Sequence, residues 1–236
     1  NIIKMIARRK SKKLKVLGII PVSGKSIYHF GKPFQIINDN PLLSYTIKAA
    51  RESELLDKVV LATDDDEVVE YARKYDFLTT LKRPTSLSKA TTEMYDIVNY
   101  VLEKLEERNN YSPDAVCTLY INTPLRNGSH IDKAINTMSI FETDSVISIT
   151  EELSFCYQHG MYGLEPIEKS RIIRTERNAI FVENGAVMLC SVNSVRKKQM
   201  PGPKISHITM LPEESIQIKN LFDLWLVEKI LTEWNN

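Results

Sequence analysis

The sequence predicts an α/β fold with a largely parallel sheet, and three observations carry that prediction. Short apolar runs rich in β-branched residues recur at 16–20, 59–62, 116–120, 145–149 and 186–192, as strands buried on both faces require. Segments with helical periodicity separate them. The chain of 236 residues is long enough for one large domain with a substantial core and short for two.

The first fifteen residues carry Lys4, Arg8, Arg9, Lys10, Lys12, Lys13 and Lys15. Residues 1–14 therefore read as a basic lead-in or linker, and 15–236 as the domain. The chain begins with Asn1, as a trimmed product or one segment of a longer polypeptide would, which leaves room for a neighbouring domain at the N-terminus. The apolar run after Lys15 is too short for a signal-peptide core and ends in proline and polar residues.

A helix is expected over 41–50, with Asn40 as its cap and Pro41 at its first position. Over 92–107, Met94, Ile97, Val98, Val101, Leu102 and Leu105 form the apolar stripe of a helix facing the sheet. Ser129 with Asp132, and Asn220 with Asp223, have capping-box spacing and predict helices running to Met138 and Trp234. Residues 151–183 break the rhythm, with Phe155, Tyr157, His159 and Tyr162 followed by Lys169, Arg171, Arg174 and Arg177. That stretch reads as an arm outside the main sheet, its aromatics as a packing or subunit-contact surface.

Composition narrows the partners. With 31 basic and 30 acidic residues, nothing points to nucleic acid or an acidic membrane, and a small-molecule ligand fits better. No apolar run approaches the ~20 residues that cross a bilayer. Cys117, Cys156 and Cys190 lack metal-type spacing and sit in or beside apolar runs. They read as buried free thiols of a reducing, cytoplasmic compartment. His29, His130, His159 and His207 are scattered and suggest neither a metal cluster nor a nucleophile with its base.

The chemistry concentrates in 15–43, where the first strand runs into Ser23-Gly24-Lys25-Ser26 and on to Lys32. A strand feeding a polar, glycine-containing loop is a common phosphate holder. Gly24-Lys25-Ser26 invites a P-loop reading, but that pattern has four residues between its glycines. Here five separate Gly18 from Gly24, and Gly18 falls inside the strand. The P-loop stays as a minor alternative, with 59–64 as a counterpart of its acidic strand.

A longer series of motifs occurs in order. Pro21, Gly24, Ser26, Lys32, Pro41 and Leu42 agree with P-A-R-x-G-S-K and its continuation, and Ala62-Thr63-Asp64 with S-T-D. Arg83-Pro84, Leu87 and Thr91 follow R-P-x-x-L-x-x-D-T, and Thr123-Pro124-Leu125-Arg126 follows T-S-P-L-R. Glu183-Asn184-Gly185-Ala186 matches E-N-G-A, and 215–224 is close to S-I-D-I-D-x-x-x-D-L. On these residues the chain resembles the acylneuraminate (CMP-sialic acid) cytidylyltransferases over nearly its whole length after Lys15.

The resemblance implies a three-layer Rossmann-like nucleotidyltransferase domain whose arm, 151–183, takes part in a homodimer. It implies attack by a hydroxyl of a nonulosonic, sialic-like acid on the α-phosphorus of CTP, with release of pyrophosphate and Mg2+ as cofactor. Carried over by position, Lys32 is the catalytic lysine. Pro21, Ser23, Gly24, Lys25, Ser26, Lys32, Arg83 and Thr91 fall at the nucleotide, and Arg126, Arg174, Asn184 and Gly185 at the sugar acid, whose carboxylate Arg174 would bind.

Departures cluster at the charged positions. Ser23 stands at the loop arginine, Gln217 and Lys219 at the two late aspartates, Ala90 at the aspartate of D-T, Tyr120 at a glutamine and Ile27 at a basic residue. No metal ligand is therefore assigned, because hard cations favour carboxylates and an ammonium at Lys219 repels them. Three expectations stand side by side: Lys219 with Lys25 supplies the positive charge at the triphosphate, the chain is an active transferase that takes another nucleotide in place of CTP or another sugar, or it is an inactive homologue that binds a nucleotide, a sugar or a partner.

Overall fold

A computed structural model describes residues 13–24, 32–89, 91–168, 173 and 178–234. The elements in chain order are β1 (Val16–Val22), β2 (Ile36–Ile37), β3 (Asn40–Pro41), α1 (Leu42–Glu52), β4 (Lys58–Thr63), α2 (Asp66–Ala72) and β5 (Leu78–Lys82). They continue with α3 (Met94–Asn109), β6 (Ala115–Thr118), α4 (Gly128–Phe141), β7 (Ser145–Glu152), β8 (Tyr157–Gly160) and β9 (Gly163–Pro166). The last are β10 (Ile180–Ser191), α5 (Val192–Arg196), β11 (Ile205–Thr209) and α6 (Leu221–Lys229).

Among the described residues the main sheet has seven strands in the order β11-β7-β10-β6-β1-β4-β5. β10 runs antiparallel to β6 and β7, and the other neighbours pair parallel. Alternation along the strands sends side chains to two cores. Val16, Ile20, Val59 and Leu61 face α1 and α4 through Leu43, Ile47, Ile131 and Ile135. Leu17, Ile19, Val60 and Ala62 face Val98, Val101, Leu102 and Leu105 of α3. Both faces are thus covered by helix, which is why these strands are apolar without interruption, and the three-layer α/β expectation holds.

Gly18 lies within β1, opposite Val59 and Cys117 on its two neighbours. A Cβ there would stand 3.1 Å from a Leu56 methyl, so this glycine serves packing. The P-loop alternative has no glycine at the start of its loop.

Several local expectations shift. α1 starts at Leu42, with Pro41 at the N-cap position and no side-chain cap. Asn40 instead closes a hairpin with Ile37, whose turn residues Asn38 and Asp39 take φ of 44° and 63°, as a tight hairpin turn of the I′ kind needs. α3 begins at Met94, two residues later than 92. α4 is capped by Asn127 and His130, not by Ser129 and Asp132. Asp132 is drawn away because Ser53 Oγ and the amides of Glu54 and Leu55 donate to it at 2.6, 3.0 and 3.1 Å. Asn220 and Asp223 do form the expected box.

Two strands, β5 and β11, lie where no strand was expected, at the two edges of the sheet. The ends of the 151–183 stretch are sheet, since Ile180 pairs with Glu152 and Phe181 with Glu151. Between them β8 and β9 form an exposed antiparallel hairpin. Cys117 and Cys190 are buried free thiols and Cys156 is half-buried. No helix among the described residues is long and apolar enough to cross a membrane.

Candidate active site

Strand order reverses at β1, since β4 and β5 add on one side and β6 on the other. In open sheets of this kind a crevice forms outside the carboxyl ends of the strands at the reversal. Ser23 and Gly24 leave β1 there, Asp64 leaves β4, and residues 119–123 leave β6, with the Leu119 amide donating to Ile19 O at 2.9 Å.

On the β4 side one arginine ties the strand ends. The Arg83 amide donates to Thr63 O at 2.6 Å, while Nη2 donates to Val22 O at 2.9 Å and Nη1 to Leu87 O at 3.1 Å. Arg83 is buried, and Nη2 lies 3.7 Å from Asp64 Oδ1. Burial pushes the guanidinium pKa down and Asp64 opposes the shift. Burial likewise pushes the Asp64 carboxyl up, yet the Ser88 hydroxyl, the Gly24 and Asp64 amides and the Arg83 charge outweigh it, and the net value lies below the ordinary one. The Gly24 amide reaches Asp64 Oδ1 at 3.1 Å. A Cβ on Gly24 would collide with the Asp65 carboxylate, so the loop can start at this point only without a side chain.

On the β6 side a second arginine does comparable work without a carboxylate. Arg126 Nη1 donates to Tyr120 O (3.2 Å), Thr123 Oγ1 (2.9 Å) and Ala186 O (2.7 Å), and Nη2 to Thr46 Oγ1 of α1 (2.8 Å). Burial pulls its pKa down to about 10. Asn184 is equally enclosed. Its Oδ1 accepts from Ser148 Oγ at 2.5 Å and from the Ala186 amide at 3.1 Å, and its Nδ2 donates to Ser215 Oγ at 2.8 Å. Gly185 turns the chain with φ of 68°, and a Cβ there would lie 3.0 Å from Gln217 Nε2. The Ile218 amide donates to Asn122 O at 2.8 Å, which lays 215–219 across the end of β6 and the register break at Asn184–Gly185 within β10. Tyr120 sits at the same place, its hydroxyl pKa pushed up to about 12 by burial and by Glu183.

The structure therefore brings Pro21, Ser23, Gly24 and Arg83 together on one side, and Arg126, Asn184, Gly185 and Gln217 on the other. Lys32, Thr91 and Lys219 are exposed. Lys25, Ser26 and Arg174 lie outside the described residues. Sequence reasoning missed Thr46, Ser148 and Ser215, the hydroxyls that seat Arg126 and Asn184. Thr46 had a signal, being a polar residue between Leu42, Leu43, Ile47 and Ala50 on the buried face of α1.

The two late positions of the family pattern offer magnesium no carboxylate. At the late positions stand an amide, Gln217, and an ammonium, Lys219. The nearby carboxylate of Asp223 is occupied as a cap by the amides of Lys219 (2.9 Å) and Asn220 (3.2 Å). A hard dication favours carboxylate oxygen, which neither Gln217 nor Lys219 offers. A groove of about 340 Å³ lined by Asn40, Ser44, Tyr45, Lys48, Arg51 and Tyr75 runs along α1 and includes none of these residues.

A family model described as Cytidylyltransferase matches residues 7–157. The chain belongs to the cytidylyltransferase family. Among its curated relatives, the pseudaminic acid cytidylyltransferase of Campylobacter jejuni is 32% identical over 138 residues, 58% of this chain and 59% of that protein. The chain thus spans about three fifths of that relative's length. The CMP-N,N'-diacetyllegionaminic acid synthase of Legionella pneumophila is 24% identical over 225 residues, 92% of this chain and 97% of its own. Among solved structures, CMP:2-keto-3-deoxy-manno-octonic acid synthetase complexed with CTP superposes with a TM-score of 0.66 at 12% identity, covering 93% of this chain and 99% of that one. That likeness concerns the fold.

Proposed function

We propose that the chain transfers a cytidylyl group from CTP to a nonulosonic acid. The hydroxyl oxygen of the sugar acid attacks the α-phosphorus and gives up its proton, the bond from that phosphorus to the bridging oxygen breaks, and pyrophosphate leaves. The observation that supports this most is the paired arrangement at the crevice, in which Arg83 and Arg126 fix the loops leaving β1, β4 and β6 while the segment with exposed Lys219 is tied to Asn122 beside them.

In this reading the nucleotide lies along Pro21, Ser23, Gly24, Lys25 and Ser26, with Lys32 and Thr91 beside it. Lys32, Lys25 and Lys219 supply the positive charge that a leaving pyrophosphate needs, and an ammonium can do so as a point charge. Arg174 and Gly185 face the sugar acid. Arg83, Arg126 and Asn184 hold the walls, because the terminal guanidinium nitrogens and the Asn184 amide are engaged with backbone and hydroxyl partners, while Nε of each arginine is buried without one. The hairpin of β8 and β9, with Met161 85% and Tyr162 93% exposed, serves as a contact between two copies.

A second reading rests on Ser23, Gln217 and Lys219, which replace an arginine and two carboxylates of the family pattern: the same crevice binds a nucleotide or sugar without turnover. Thermal-shift titration with CTP, with and without magnesium, followed by pyrophosphate release with several nonulosonic acids, separates the two. Release above background supports transfer. Stabilisation by CTP without release supports binding alone, and neither effect would sink both.

A further inference from the structure

The segment carrying Gln217 and Lys219 is held to the body of the protein by a histidine and a glutamate outside the two arginine networks. His130, the third residue of α4, is buried. Its Nδ1 accepts from the Asn127 amide at 3.2 Å, so the ring proton is on Nε2. Nε2 donates to Glu214 Oε2 at 3.3 Å. The same oxygen accepts from the Leu211 amide at 3.2 Å, closing the short turn at Pro212–Glu214. Gln217 follows three residues later, and α4 begins two residues after Arg126.

Helix capping accounts for one nitrogen of His130 and no more. The partner of the other comes from 84 residues away, on the one stretch that also touches Asn184 through Ser215 and Asn122 through Ile218. We propose that His130 and Glu214 are positioning residues for the crevice, fixing 215–219 over the turns at 120–122 and 184–185 and thereby setting where Gln217 and Lys219 stand beside a nucleoside triphosphate. Only the activity readout below rests on the cytidylyl-transfer reading.

The charged groups facing the imidazole are Glu214 from the turn, Lys133 from α4 and Arg126 from the preceding loop. Burial pushes the His130 pKa down first of all, Glu214 opposes that, and Lys133 and Arg126 add to it. A second proton would go to Nδ1, where the Asn127 N–H points, and would break that bond. With the folded value below the unfolded one, the stability carried by the buried neutral imidazole is complete above the ordinary histidine value of about 6.5 and is lost as pH falls toward the folded value, while the Glu214 contact itself favours the protonated ring.

The test uses the full chain with His130→Ala, Glu214→Ala, both together, and Glu214→Gln. Amide hydrogen exchange is read at Ile218, with thermal melting as a control on the fold. Each alanine variant should speed Ile218 exchange by about tenfold, and the double variant no further, because the two residues act as one unit. Glu214→Gln, whose amide oxygen still accepts both hydrogen bonds, should recover most of the protection. CTP affinity should fall about fivefold in either alanine variant. Independent, additive effects in the double variant, or unmoved Ile218 exchange in a folded variant, would overturn the proposal. A parent that neither binds nor turns over CTP defeats the cytidylyl-transfer reading instead, and the exchange data still decide the latch.

Discussion

Arg83 and Arg126 lie on either side of β1 and perform the same task with opposite electrostatics. Each is buried and each donates to backbone carbonyls at or just beyond the strands beside the crevice. Arg83 has a carboxylate within 3.7 Å, whereas the partners of Arg126 are carbonyls and hydroxyls. The difference teaches how each half of the crevice should respond to change. The β4 half is an ion pair and titrates with acid. The Arg126 network on the β6 side is a guanidinium neutralised only by dipoles, so it depends on geometry and not on the titration of a carboxylate.

The largest expected effect is therefore on the β6 side. Arg126→Ala would leave the carbonyls of Tyr120 and Ala186 without this donor and open a cavity, for a loss of about 3 kcal/mol or more in urea unfolding. A loss under about 1 kcal/mol would mean that the network is ornamental.

A smaller effect is expected at Asp64. Asp64→Asn keeps an oxygen for the Gly24 amide but removes the charge opposite Arg83, and should lower stability by about 1–2 kcal/mol at neutral pH. The sign of the pH dependence follows from the depressed carboxyl value. The charge stabilises the fold above the ordinary carboxylate range and ceases to do so as pH falls through the folded value. Unfolding measured from pH 6 downward should show the parent approaching Asp64→Asn in acid. Parallel curves would refute the ion-pair account.

The smallest effect on stability, and the sharpest on chemistry, is at the exposed end of the β6 half. Replacing Gln217 and Lys219 together by Asp should leave melting without metal unchanged, since neither is in the core. It should also make CTP-dependent stabilisation require magnesium, because two carboxylates now suit a hard cation. If the parent already needs magnesium to the same degree, the proposal that lysines meet the phosphate charge fails.

Much of this architecture is legible in the residues. β1, β4, β6 and the second half of β10 are covered on both faces, so their runs are apolar throughout. β5 and β11 are edges with partial exposure, such as Ile205 at 50%, and their patterns carry too little apolar contrast to stand out. The cap of α4 was misplaced for a different reason. Asn127 with His130 and Ser129 with Asp132 both have the right spacing, and only the loop after α1 arriving at Asp132 decides between them.

At the site, residue type announced a hydrogen-bonding group but not its direction. Arg83, Arg126 and Asn184 read as ligand contacts, yet each is folded inward onto its own scaffold. The sequence by itself determined the α/β alternation, the family and the order of motifs along the crevice, since these depend on local periodicity and spacing. Only the tertiary structure decided which polar groups remain for a ligand. A buried donor must find an acceptor, and the acceptors here lie far off in sequence, as Thr46 does for Arg126 across 80 residues and Ser215 for Asn184 across 31.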